Sequence, residues 1–298
     1  MMQLTLLLTC LVSTASLPLD VMDPVGGEGD RGILSYRIED TAGNNVPARL
    51  TFRKTDGSVP VLFKNRAANP KDLAIRDDVI CTLSGAGSIT VPVGNWLVYA
   101  SRGPEWSIHE QPISVEKDQT ISVTFSLEHQ VDSKGWAAAD YHLHTLTHSG
   151  HGDSNMPERI ISIASEALEV GVATDHNVHT DYSDIISELD AGDEFQGIVG
   201  NEISVPLGHF NSFPLEPWAN VFDRNSNDGP ALFRAVRAHR DSSGIVPVIQ
   251  VNHPRWDGID YFRVAGLDPI TGQSVENNWS VDFDSVEIFN ENAGWGYY

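Results

Sequence analysis

Nine of the eleven histidines in this chain lie at or beyond His142. The run Asp140-Tyr-His-Leu-His144 sets two imidazoles two residues apart. On a strand such residues share a face, so His142 and His144 can hold one cation between them. Taken alone, a pair of this kind is more often a packed surface pair. Its weight comes from recurrence. Asp153 follows in the loop Ser149-Gly-His-Gly-Asp153, Asp175-His176 comes directly after an apolar stretch, and Glu202 closes another. His209 in Gly208-His-Phe-Asn211 and His253 in Val251-Asn-His-Pro254 continue the series. Each of these singly reads as a hydrogen-bonded structural side chain. Repeated at strand ends, they read jointly as one metal-binding mouth.

The elements that must carry them follow a strand, helix, strand rhythm that begins near Gly135, after the polar connector Glu128 to Lys134. A helix is expected from Pro157 to Glu169, with Ile160, Ile161, Ala164, Ala167 and Leu168 on one face, Pro157 in the first turn and Gly171 just past the end. Strands are expected at Val172 to Thr174, Ile198 to Val205, Ile245 to Asn252 and Val286 to Phe289, and a second helix from Pro230 to about Arg240. Alternating units imply a parallel sheet or barrel with its functional residues at the C-terminal strand ends.

Before this, from Gly32 to about Leu127, the period is two. Leu50 and Phe52 alternate with Arg49, Thr51 and Arg53, and Ile121, Val123, Phe125 and Leu127 alternate with polar residues. Turn signals at Gly43-Asn44, Asp56-Gly57, Val93-Gly94 and Lys117-Asp118 space these runs as in a small all-β sandwich. The expected fold class is therefore α/β: a sandwich over about residues 30–130, then a βα domain over 135–298. A length of 298 residues accommodates two such domains.

With 19 Lys and Arg against 41 Asp and Glu, the formal charge is -22, a field that repels phosphate backbones and anionic membranes. Nucleic acid is excluded as an expected partner. Residues 1–15 form a short apolar run with Ser13 and Ala15 in the pattern of a signal-peptidase site, so a secreted or periplasmic location is expected. Cys10 and Cys81 are the two cysteines, and loss of a leader leaves Cys81 with no intramolecular partner. No later run of 18 or more apolar residues reads as a membrane span.

The order His-x-His, loop Asp, Thr-Asp-His-Asn, Gly-x-Glu, Gly-His and Asn-His-Pro resembles the polymerase-and-histidinol-phosphatase (PHP) superfamily of distorted βα barrels. The segments GWAAADYHLHT, VATDHN, GNEIS and GHFNSFPL are similar to its exported branch related to carbaryl hydrolase, which carries a β-sandwich of transthyretin-like type in front of the barrel. The resemblance implies that His142, His144, Asp153, His176, Glu202, His209 and His253 are ligands of two or three divalent ions, with Glu202 bridging. Imidazole and carboxylate without thiolate suit zinc, manganese or iron. His151 or His148 is the alternative to Asp153 as the loop ligand; for two of the three residues His148, His151 and His179, plain exposure is the simpler reading. Asp175 and Arg255 are the candidates for catalytic roles. Asp175, like Asp140, either orients a ligand ring or caps a strand end. Arg255 and Trp256 either meet an anionic or aromatic substrate or simply pack. The family's further Asp-x-His pair does not occur before Tyr298. The barrel is accordingly expected to be incomplete and the chain a fragment, with Phe289-Asn290 ending the strand that leads onward.

The expected function is hydrolysis of a small-molecule phosphate ester or carbamate or carboxylic ester by water activated on metal. The rival reading is an exported binding or surface-attachment protein with a degenerate PHP domain, against which the retained ligand series argues. A nucleic-acid-processing PHP domain fits neither the charge nor the leader.

Overall fold

The structure, a computed structural model, describes residues 21–254, 256–274 and 278–288. The leader, Arg255 and Phe289-Asn290 lie outside the described residues. The first half is built from β1 (Val21–Met22), β2 (Arg31–Glu39), β3 (Ala48–Lys54), β4 (Leu73–Arg76), β5 (Val79–Thr82), β6 (Ala86–Pro92), β7 (Gly94–Ser101), β8 (His109–Val115) and β9 (Thr120–Ser126). They form two sheets, ordered β1-β6-β2-β9 and β4-β5-β3-β7-β8. Period-two alternation turns Leu34, Tyr36 and Ile38 of one sheet and Ala48, Leu50 and Phe52 of the other into one shared core. A large apolar side chain fully buried in such a core contributes about 1.5–3 kcal/mol.

The second half contains β10 (Ala139–Leu143), α1 (Leu146–Ser149), α2 (Met156–Ser165), β11 (Val170–Ala173), α3 (Ser183–Glu188), β12 (Gln196–Val199), β13 (Asn201–Val205), β14 (Gly208–Phe213), α4 (Gly229–Ala238), β15 (Val248–Val251), α5 (Tyr261–Val264) and β16 (Ser285–Val286). The chain is thus a mixed α/β protein. Strands β10, β11 and β12 pair in parallel. Strands β13, β14 and β15 pair antiparallel, and β16 joins β15 in parallel. The two sheets meet where His176 bridges Glu202 and Thr180 bridges Gly200.

Several expectations are corrected here. Helix α2 stops at Ser165, because Ala167 turns the chain at φ 52° and the N–H groups of Glu169 and Val170 bond to Ala138 O instead. Gly171 accordingly lies inside β11 and not past a helix end; a Cβ there would come within 2.6 Å of Phe195. The apolar run Ile198 to Val205 breaks at Gly200 and is passed from one sheet to the other. A Cβ on Gly200 would stand 2.8 Å from Val172 and 3.0 Å from Ala173 O, so only glycine fits this transfer. Strand β14 escaped pattern reading because Phe210, Asn211, Ser212 and Phe213 are buried in succession. The sheet is mixed where an all-parallel series was expected, and no closed barrel forms among the described residues. Nor is any helix among them long and apolar enough to cross a membrane.

Helix α2 ties the halves together. Asn155 and Glu158 form a capping box at its start, and its buried Ile161 packs against Ala74 and Cys81 of the sandwich. Burial pushes the Cys81 thiol up to about 12, which leaves it inert. Arg102, itself buried, donates to Pro47 O and Ala164 O and pairs with Glu194. Replacing Ile161 by Ala should cost about 2–5 kcal/mol in a urea titration of the whole chain, the range for deleting a fully buried aliphatic side chain. A loss under about 0.5 kcal/mol, the scale of surface changes, would mean that this helix does not join the halves.

Candidate metal centre

Period two sorts the second sheet into two faces. Ile203, Phe210 and Val251 stand opposite one another on the apolar side, while Glu202, Asn211 and Gln250 stand opposite one another on the other. Glu202 is fully buried on that polar face, and five imidazoles converge on it from four strands and strand ends. His142 Nε2, His209 Nδ1 and His253 Nε2 approach Oε1 at 3.3, 3.1 and 3.2 Å, and Asn252 donates to the same oxygen at 3.0 Å. His144 Nε2 and His176 Nδ1 stand 3.2 and 2.8 Å from Oε2. Neither reaches Oε2 in hydrogen-bonding geometry, so this oxygen is buried with no hydrogen bond among the described residues.

The surrounding hydrogen bonds assign the ring tautomers. His142 Nδ1 faces Glu287 Oε1 at 2.9 Å, which accepts its proton. Ser149 Oγ donates to Asp175 Oδ1 at 2.6 Å and so accepts from His144 Nδ1 at 3.1 Å. The Nε2 lone pairs of His142 and His144 are then left facing each other at 3.1 Å beside a carboxylate. The His142 and His144 lone pairs so arranged demand positive charge between them. His151 Nε2 stands 2.7 Å from His176 Nε2, within hydrogen-bonding reach. Burial opposes charge on His142, yet the carboxylates of Glu202 and Glu287 carry its pKa up to about 10. Burial would raise the Glu202 carboxyl, but the imidazoles of His142, His144, His176 and His209 hold it well below the usual range. The donor set fits a divalent ion as well as a proton. His144, His151 and His176, then His142, His144 and Glu202, then His176, Glu202 and His209 each bring three ligand atoms within 4.8 Å of one another.

Six of the seven expected ligands therefore meet: His142, His144, His176, Glu202, His209 and His253. Asp153 does not join them. It is exposed and bound by Arg76 Nε at 2.6 Å, which also holds its carboxyl below the usual range, and His151 occupies the loop position beside His176. Asp175 does not reach the Glu202 cluster either. Its carboxylate is fully buried and taken up by Thr145, Ser149 and Thr180, so it orients His144 through Ser149. Asp140 accepts from the His142 backbone at 2.9 Å and lines the cavity. His148 is exposed, and His179 is buried elsewhere against Phe222. Trp256 both packs on His253, at 5.4 Å between centroids, and lines the cavity.

Pattern reading did not single out Glu287, which accepts from the His253 N–H at 2.7 Å as well as facing His142. The expected strand Val286 to Phe289 placed it mid-strand, whereas β16 ends at Val286 and leaves Glu287 just past a strand end. Arg159 was also missed; its Nε donates to His144 O at 3.0 Å, and the residue lines the mouth. The cavity above the cluster measures about 550 Å³.

Replacing His142 and His144 together by Ala should remove one equivalent of bound divalent ion per chain while the sandwich remains folded. Unchanged stoichiometry by elemental analysis would refute the paired-ligand assignment. A second expectation concerns His179, whose Nε2 is buried without a hydrogen bond among the described residues. Burial lowers its pKa from the ordinary 6.5, with His239 adding to the effect, against an opposing hydrogen bond to Glu216 O. The folded state thus binds this proton more weakly than the unfolded one, so stability is present above pH 6.5 and drains away as pH falls through the lowered folded value. The advantage in urea midpoint of wild type over His179→Phe should shrink in that window; a constant difference would contradict the assignment.

The chain matches no protein-family profile and no curated protein sequence. Among solved structures it is similar in part to a minor pilin of Streptococcus agalactiae, at 17% identity and TM-score 0.28 over 35% of this chain and 46% of that one. It is similar also to the major pilin subunit of Bacillus cereus, at 15% and 0.26 over 34% and 31% of the two chains. A third partial likeness is to hydroxyquinol 1,2-dioxygenase from Pseudomonas putida DLL-E4, at 8% and 0.26 over 40% and 64%. Each match takes in less than two thirds of the other chain, and at these TM-scores none bears on fold or function here.

Proposed function

We propose that this chain is an exported metal-dependent hydrolase of PHP type that cleaves a small-molecule phosphate ester or a carbamate or carboxylic ester with water. The observation that carries the reading is the buried Glu202 ringed by five imidazoles, with Oε2 lacking a hydrogen bond among the described residues, at the floor of an open cavity. The order of motifs from His142 to His253 supports the PHP assignment, and the apolar start of the chain supports export.

Divalent ions of zinc, manganese or iron, when bound, supply Lewis acidity that acidifies water and polarises the scissile oxygen. His142, His144, His176, Glu202, His209, His253 and the loop residue His151 would hold them. Glu287 keeps the His142 proton on Nδ1 and leaves Nε2 free to ligate. Asp140 lines the cavity with a carboxyl that burial raises, and this side chain would serve to take and return a proton. Trp256 and Ile259 give the cavity an apolar wall against which a substrate's organic part can exclude water.

Elemental analysis of the purified chain should find at least one equivalent of zinc, manganese or iron. Hydrolysis of an aryl phosphate or an aryl carbamate should vanish on chelation and return on adding metal back. Absence of metal after reconstitution, or turnover indifferent to chelator, would refute the proposal.

A further inference from the structure

We infer that Arg76, a sandwich residue, is a positioning residue for the loop histidine of the metal centre, so that the β-sandwich holds His151 against His176. The inference rests on the metal-centre reading above. His151 sits between Gly150 at φ 70° and Gly152 at φ 83°, and a Cβ on either glycine would meet nothing within 4 Å. Neither backbone preference nor packing at those glycines fixes the ring, so its place depends on what anchors the loop at each end. On the near side the anchor is Ser149, bonded to Asp175 and His144. On the far side it is Arg76 at the end of β4.

The Arg76 guanidinium is fully committed to that task. Nε donates to Asp153 Oδ2 at 2.6 Å, Nη2 to Asp153 O at 2.7 Å and Ser154 Oγ at 2.5 Å, and Nη1 to Glu158 Oε1 at 3.3 Å and Ile75 O at 2.6 Å. It thereby grips two consecutive loop residues and the capping-box glutamate of α2 together. A planar fork with five donors makes this possible, which a lysine does not. Ser154 O in turn accepts from Leu146 N at 2.7 Å and closes the loop onto the start of α1, two residues beyond His144. Asp153, by this account, serves the centre as the handle by which its loop is held.

The test is a double-mutant cycle on the full chain, with manganese and zinc affinity as one readout and hydrogen exchange of residues 149–155 as the other. Arg76→Ala should weaken the weakest-bound ion by about 10- to 100-fold, the usual effect of removing an outer support of a ligand. Its loop should exchange about tenfold faster while the sandwich strands are unchanged. Arg76→Lys should recover only part of both. In a His151→Ala background, Arg76→Ala should cost no further affinity, because it acts through that ring. Additive losses would overturn the inference in favour of a general structural role, and a further loss from Asp153→Asn in the same background would restore Asp153 as a direct ligand. If wild type binds neither metal, the proposed function fails, while exchange of the loop still decides the clamp: unchanged exchange in Arg76→Ala overturns it.

Discussion

A carboxylate withdrawn completely from solvent has to be compensated from inside the protein, and Glu202 is compensated by five imidazoles and the Asn252 amide. Much of the second half can be understood as the means of meeting that demand. His142 arrives on β10 and His144 just past its end, His176 on the turn after β11, His209 on β14 and His253 after β15. Had the sheet been purely parallel, Glu202 and His209 could not lie on adjacent paired strands so close in sequence. The β13 and β14 hairpin brings them together.

Around this centre runs a set of polar contacts that hold rings at chosen tautomers. Asp175 works through Ser149, Glu287 serves His142 and the His253 backbone, and Asn211 joins Asn252 to Tyr141 O. His253 itself takes φ 25°, a conformation a bulky residue adopts only when its surroundings insist. In a low-dielectric setting such a network is rigid where satisfied and costly where not. Among the described residues Glu202 Oε2 is buried without a hydrogen bond, and it lies where a cation is wanted.

What pattern reading could recover follows from how local the signal is. The alternation of residues 49–53 became β3, Ile160, Ile161 and Ala164 became the buried face of α2, and six chemical residues were found from their place at strand ends. What it could not recover was set at long range. Arg76 meets Asp153 across 77 positions, and nothing in either neighbourhood announces the pair. Asp153 was expected as a ligand because the resemblance places a loop aspartate there, yet the Arg76 guanidinium holds it. The helix end at Ser165 was misplaced because Ala167 carries a positive φ that residue type does not signal. The split at Gly200 is also a tertiary event, dictated by the approach of Val172 and Ala173.

That split bears on how the chain can change in length over evolutionary time. Since side chains alternate faces along a strand, one residue added or lost between Gly200 and Glu202 would swing the carboxylate into the apolar side occupied by Ile203, Phe210 and Val251. A paired insertion would restore the facing but pull Gly200 away from the crowded backbone that only glycine tolerates. Surface turns such as Asp56-Gly57 carry no comparable constraint. The two-residue step from Gly200 to Glu202 is therefore a fixed ruler, and related chains should vary in length almost anywhere but across it.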